Sequence, residues 1–179
     1  MRKKDLEKNI TWLRRDCSKC GQAEMERLKK GEPIDYIIGW RDFLGCKIDL
    51  SYRPLIPREE TEFWVGEVMR SLRGKTSQLK ILDLFAGSGC IGLALLKNYP
   101  NIELTLADKE ENSVRQIKKN LKLNRLNAHV IKSDIFAGLD KKFDIIFANP
   151  PYIPTKKSKV QKSVKEWEPE SALYAGVDG

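Results

Sequence analysis

Histidine is almost missing from these 179 residues: His129 is the only one. Cysteine is sparse as well, with four residues at 17, 20, 46 and 90. So few ligating side chains, none at metal-site spacing beyond Cys17-Ser-Lys-Cys20, argue against a zinc centre. They also argue against a disulfide framework, so a reducing cytoplasm is the expected setting. Long apolar runs are absent too. The start, Met1-Arg-Lys-Lys-Asp-Leu-Glu-Lys, is charged where an export signal needs an apolar stretch, and Ile81–Leu96 contains Asp83 and three glycines. No export signal and no membrane-spanning segment are expected. What is present is an ordinary globular composition, 41% hydrophobic and 32% charged, with 33 Lys+Arg against 25 Asp+Glu and a net charge of +8. That charge favours acidic partners only as a bias in nonspecific attraction.

Leu6, Ile10, Leu13, Cys17 and Cys20 recur at spacings of four and three, which predicts one amphipathic helix from Asp5 to about Leu28. Both cysteines continue its apolar stripe and read as small buried hydrophobes. Gly31-Glu-Pro33 ends the helix. Trp40 to Leu44 and Cys46 to Leu50 flank Gly45 and predict a β-hairpin, while Pro54-Leu-Ile-Pro57 makes an extended linker. Thr61 to Arg73 returns to helical spacing. From Ile81 onward strands and helices alternate: strands at 81–84, 103–107, 128–131 and 143–147, helices at 90–97 and 112–123. Apolar strands separated by helices imply an α/β fold with a parallel sheet covered on both faces. Thr155 to Lys165, with five lysines in eleven residues, reads as a solvated loop, or else as a loop contacting phosphate.

Asp83-Leu-Phe-Ala-Gly87-Ser-Gly89-Cys-Ile-Gly92 falls where the first strand turns into its helix. Glycines there let a ligand approach the backbone, and the helix N-terminus offers free N–H groups. Asp108, nineteen residues beyond Gly89, ends the second strand, where a carboxylate can accept two ribose hydroxyls; the alternative is that it caps the next helix. Phe85 stands where a dinucleotide fingerprint has its first glycine, and polar Ser88 lies between the other two. A ligand ending in a carboxylate and an amine, such as the methionine part of S-adenosylmethionine (SAM), fits better than a pyrophosphate. Asp134, after the third strand, could accept from an adenine amino group or be a plain turn residue.

After the fourth strand comes Asn149-Pro150-Pro151-Tyr152. The prolines fix φ and remove two donors, so the Asn149 side chain and the Pro150 carbonyl make a rigid acceptor pair. Such a pair can hold both hydrogens of a planar NH₂ group and aim its nitrogen at an electrophile, with Tyr152 against the flat group. Methyl transfer of that kind needs orientation more than acid or base strength.

These motifs resemble the class I SAM-dependent methyltransferases, and within them the HemK/PrmC family, which methylates the glutamine side-chain amide of translation release factors. The likeness runs from about Pro33 to Gly179. It is carried by Pro33-Ile-Asp-Tyr-Ile-Ile-Gly39, Phe43-Leu-Gly45, Leu55-Ile-Pro-Arg-Glu-Glu-Thr-Glu62, Ile81 to Gly92, Asn149 to Ile153, and Glu168-Pro-Glu-Ser-Ala-Leu-Tyr-Ala-Gly-Val-Asp-Gly179. The resemblance implies a Rossmann-like sheet, here partial, of order 3-2-1-4 by sequence. It divides the chain into a short N-terminal helical segment (1–33), a hairpin connector (34–53) and a methyltransferase domain (54–179) that stops short of the family's later strands, leaving strand four an open edge.

By that similarity Phe85, Ala86, Gly87, Ser88 and Gly89 surround the methionine end of SAM, Asp108 holds the ribose, and Asp134 and Ile135 flank the adenine. Asn149, Pro150, Pro151 and Tyr152 receive the amide, with Asn149, Pro150 and Tyr152 as the catalytic set and Asn149 also near the cofactor. No metal is implied. The implied partner is a release factor, methylated by a monomer without direct nucleic-acid or membrane binding. Two rivals remain: a nucleic-acid amino-methyltransferase acting on adenine or a similar exocyclic amine, and an inactive truncated remnant.

Overall fold

The structure, a computed structural model, describes residues 9–13, 15, 21–74, 78–156 and 160–178. The predicted single helix from Asp5 to Leu28 is not what forms. Residues 9–13 are helical, but Gly21 is extended (φ −119°, ψ −151°) and begins a separate helix, α1, Gln22–Lys29. The Glu24 carboxylate accepts the Gly21 N–H at 2.8 Å and holds that start, a local bond that apolar periodicity cannot register. Cys17 and Cys20 lie outside the described residues. Lys30 caps α1 and Gly31 turns left-handed (φ 89°), so the predicted stop is found. Leu13, Leu28, Ile34 and Ile37 form a small apolar cluster of their own.

A short helix that periodicity did not separate, α2 (Ile34–Ile38), leads into the predicted hairpin of β1 (Trp40–Phe43) and β2 (Cys46–Asp49). Phe43 pairs with Cys46, and both residues between them have positive φ, Leu44 at 45° and Gly45 at 83°. That is the twist-matched two-residue turn of a hairpin. Cys46, Ile48 and Leu50 all point into the core. After the extended segment comes α3 (Glu59–Leu72), whose three first-turn acids suit its positive end and whose Thr61, Val65 and Met69 are buried at intervals of four.

The rest is β3 (Lys80–Leu84), α4 (Cys90–Asn98), β4 (Glu103–Asp108), α5 (Glu111–Asn124), β5 (His129–Lys132) and β6 (Ile145–Ala148). The four strands form one parallel sheet in the order β5-β4-β3-β6, the predicted 3-2-1-4. β3 is central and buried from Ile81 to Leu84, which explains its unbroken apolar run. Among the described residues β6 pairs only with β3; Phe147 faces the core and stacks on Trp64 of α3, whereas Ile146 is 47% exposed.

The hairpin is fastened to α5 by a polar stripe. Gln116, Asn120 and Asn124, spaced by four, bond the backbone of Tyr52, Asp49 and Lys47. Asn120 also donates to the Ser88 carbonyl at 2.9 Å, so the same side chain joins the hairpin to the glycine loop. The Lys-rich stretch is not wholly a loop: Lys162–Trp167 is helical (α6), and a 3₁₀ turn, Glu170–Ala172, follows.

Candidate active site

In an open parallel sheet ligands sit beyond the carboxyl ends of the strands, where the connections diverge to opposite sides. Here β3 leads to β4 on one side while β6 closes on the other. A cleft of about 420 Å³ opens at that place, and most of the residues chosen from sequence line it: Phe85 to Ser88, Asp108, Asp134, Ile135, Asn149 and Pro151. Gly89, Pro150 and Tyr152 are not on its lining. A wider hollow of about 620 Å³ beside α3, lined partly by Phe63 and Tyr99, contains none of them.

The glycine loop turns through three left-handed residues, Phe85 (φ 59°), Gly87 (φ 54°) and Gly89 (φ 79°). Its glycines serve different ends. A Cβ on Gly87 would meet nothing closer than 3.9 Å, so that backbone is open toward the cleft. A Cβ on Gly89 would lie 2.9 Å from Leu93 Cδ1, and one on Gly92 2.8 Å from Leu106 Cδ2, so these two let α4 seat on the sheet. The N-terminal residues Cys90 and Ile91 of α4 reach the cleft, bringing the positive end of the helix to it. Burial pushes the Cys90 thiol up to about 12, so it stays neutral.

Asp108 ends β4 nearly buried. Its Oδ2 accepts the Gly87 N–H at 2.8 Å and its Oδ1 the Glu110 N–H at 2.9 Å. Each oxygen keeps a free acceptor position, enough for two vicinal hydroxyls. The capping alternative loses ground, because the N-cap of α5 is Glu110. Asp83, missed as a separate element of the site, lies beneath: its Oδ2 accepts the Gly92 N–H at 2.8 Å. Burial, with a smaller push from the Asp108 charge, raises its carboxyl to about 7. A charged residue within a central apolar strand was the available signal.

Ser133 is buried, and its hydroxyl lies 2.8 Å from the Ile135 carbonyl and 2.6 Å from that of Ala137, shaping the turn in which Ile135 takes φ 52°. Asp134 and Ile135 therefore stand exposed on the rim. Opposite, Asn149 is half-buried, and no described residue hydrogen-bonds its side chain. Tyr152 is 71% exposed.

The remaining wall, Tyr52 to Arg58, was read from sequence only as a linker and a family likeness. Arg53 (φ 54°) bonds Glu32 at 2.6 Å and lies over the rings of Tyr36 and Trp167 at 4.7 and 5.8 Å. Glu32 also takes Arg27; burial opposes its charge, but the two guanidiniums hold its carboxyl below the usual range. The N-terminal unit is thus anchored on the cleft wall. Among the described residues no cluster of His, Cys, Asp and Glu could hold a metal ion, and no helix is long and apolar enough to cross a membrane.

The methyltransferase small domain family matches residues 67–166. The release factor glutamine methyltransferase of Francisella tularensis is 41% identical over 155 residues, 86% of this chain and 55% of that protein. That of Thermodesulfovibrio yellowstonii is 42% identical over 160 residues, 87% and 57%, and that of Lactococcus lactis 33% over 178 residues, 95% and 65%. The chain spans little more than half the length of the first two. Among solved structures, the Thermus thermophilus 16S rRNA N2 G1207 methyltransferase, in complex with AdoMet and guanosine, superposes with a TM-score of 0.54 at 24% identity. It covers 64% of this chain and 32% of its own, a likeness of fold.

Proposed function

The chain belongs to the methyltransferase small domain family, and from that premise we propose that it transfers a methyl group from SAM to the side-chain amide nitrogen of the glutamine in the Gly-Gly-Gln loop of a peptide chain release factor. The observation that carries this reading is the meeting of Asp108 and Asn149 in one cleft. A ribose acceptor and an amide acceptor face the same space, and curated relatives that share most of this chain bear the matching name.

The residues present fit the cofactor. Asp108 accepts the ribose hydroxyls on the lone pairs that Gly87 and Glu110 leave free. Phe85, Ala86, Gly87 and Ser88 border the methionine end, with Gly89 shaping the turn behind them, and Asp134 and Ile135 flank the adenine. When bound, SAM would supply a sulfonium methyl: the N–C bond would form as the S–C bond broke, S-adenosylhomocysteine would leave as a neutral thioether, and the nitrogen would release one of its two hydrogens as a proton to water. Asn149 Oδ1 and the Pro150 carbonyl accept the two amide hydrogens, Pro151 keeps the turn rigid, and the exposed Tyr152 closes over the flat amide as the loop enters. No side chain need act as a strong acid or base, because fixing the nitrogen in line supplies most of the rate. The protein acts as a monomer in the cytoplasm.

Incubation with radiolabelled SAM and a release factor should give nuclease-resistant label in the factor, lost when its loop glutamine is changed. A folded, SAM-binding chain that leaves the factor unlabelled would overturn the reading. Label in RNA or DNA would favour an exocyclic amine instead.

A further inference from the structure

Glu168 is a buried carboxylate that no step of the proposed reaction uses. Its side chain is 1% exposed; Oε1 accepts from Arg58 Nη2 at 2.6 Å and Oε2 from the Ile56 N–H at 3.1 Å. Both oxygens are therefore committed to the Pro54–Arg58 segment, which forms one wall of the cleft. The chain then runs on through Pro169, Ser171 and Ala172, which line the cleft themselves. Its next residues brace the far side of the Asn149–Tyr152 turn. The Ile153 N–H donates to the Leu173 carbonyl at 3.0 Å, the Ala175 N–H to the Ile153 carbonyl at 3.1 Å, and the Thr155 N–H to the Gly176 carbonyl at 2.8 Å. One short run thus touches the cofactor wall at its start and the acceptor turn at its end.

A charge taken out of water is retained where it is fully paired, and a paired buried charge fixes geometry because any displacement unpairs it. We propose that Glu168 is a positioning residue: through Arg58 and the Ile56 N–H it locks the Pro54–Arg58 wall to the segment that braces Asn149–Tyr152, so that cofactor wall and acceptor turn keep a fixed spacing. Its catalytic consequence rests on the proposed methyl transfer; its mechanical part does not.

The test compares the full chain with Glu168→Gln, Arg58→Met and the double variant, well below their unfolding midpoints. Amide hydrogen exchange at Ile56, Ile153 and Ala175 should quicken about tenfold in Glu168→Gln while β3, β4 and β5 keep wild-type protection. With saturating SAM and release factor, kcat should fall about tenfold with little change in KM for SAM, the mark of lost alignment rather than lost binding. The double variant should be no worse than the poorer single one. Wild-type exchange at Ile153 and Ala175 in a folded Glu168→Gln chain would overturn the proposal. The double variant, which carries no unpaired charge, gives the same readings if that single variant does not fold. The exchange measurement needs no cofactor, so a chain that failed to methylate would sink the reaction and leave the clamp to be judged on its own.

Discussion

Asp108 ends β4 and Asn149 directly follows β6, on opposite sides of β3 in one sheet, and the two are held by contrasting means. Asp108 is 9% exposed, with each carboxylate oxygen already accepting a backbone N–H from within two residues or from the adjacent loop. Asn149 is half-buried, its side chain bonded by no described residue, and its turn is steadied from residues 173–176, bonded just past Tyr152. The cofactor end is built into the core, its carboxylate bonded to the glycine loop 21 residues back. The acceptor end projects from a strand that, among the described residues, pairs on one side only, and it is steadied by Leu173 to Gly176, a segment that follows it in the chain. The proposed reaction, in which a diffusible cofactor is bound tightly and a protein loop is admitted briefly, is suited by that division.

Substitutions that affect one end alone test this contrast. The largest effect is expected from Asn149→Ala, which should cut methyl transfer about 10²-fold, roughly 2.7 kcal/mol, with SAM affinity nearly kept. Steady-state kinetics beside a calorimetric titration check it, and a parallel loss of SAM binding would erase the distinction between the ends. Asp108→Ala should do the reverse, weakening SAM binding by about 1.5–3 kcal/mol as a charged acceptor is lost. An unchanged dissociation constant would remove the ribose assignment.

Gly92→Ala should destabilise the fold by about 1–3 kcal/mol in urea unfolding, since its Cβ would press on Leu106, Leu104 and the Asp83 carboxylate. A neutral outcome would mean that the glycine turn is less tightly seated than Asp108 implies. The last test concerns pH. Asp83 ionises near pH 4 unfolded and near 7 folded, so between these values the unfolded chain holds fewer protons and this group's contribution falls as pH rises. Asp83→Asn should flatten that decline between pH 4 and 7, and an unaltered slope would show that burial does not govern this carboxyl.

The sheet was legible because its signals are local. Apolar runs from Ile81, Glu103 and Ala128, broken by helical spacing, give the strands within a residue or two of the observed bounds, and their order was implied by the family resemblance. The glycine loop and Asp108 were legible for the same reason. The N-terminal helix was misjudged because periodicity passes through Gly21, where the Glu24 bond starts a new helix. The Gln116–Asn120–Asn124 stripe was overlooked, although its spacing of four was visible, because polar residues on a helix are ordinarily solvated and only the hairpin's arrival buries them. Glu168 and Arg58 stood in two separate resemblance motifs, with nothing in sequence to join them.

By itself the sequence determined the parallel α/β architecture and the residues at the strand ends, while the strand order followed from the family resemblance its motifs carry. Period, turn chemistry and helix capping act over a few residues and are written where they act. Tertiary structure alone decided which wall encloses the cleft, that Gly89 and Gly92 serve packing while Gly87 stays open, and that a carboxylate 110 positions from Arg58 ties the two ends together. The physical reason is that burial and ion pairing belong to atoms brought together by folding, and a linear pattern carries no record of which distant segments will share that dry space.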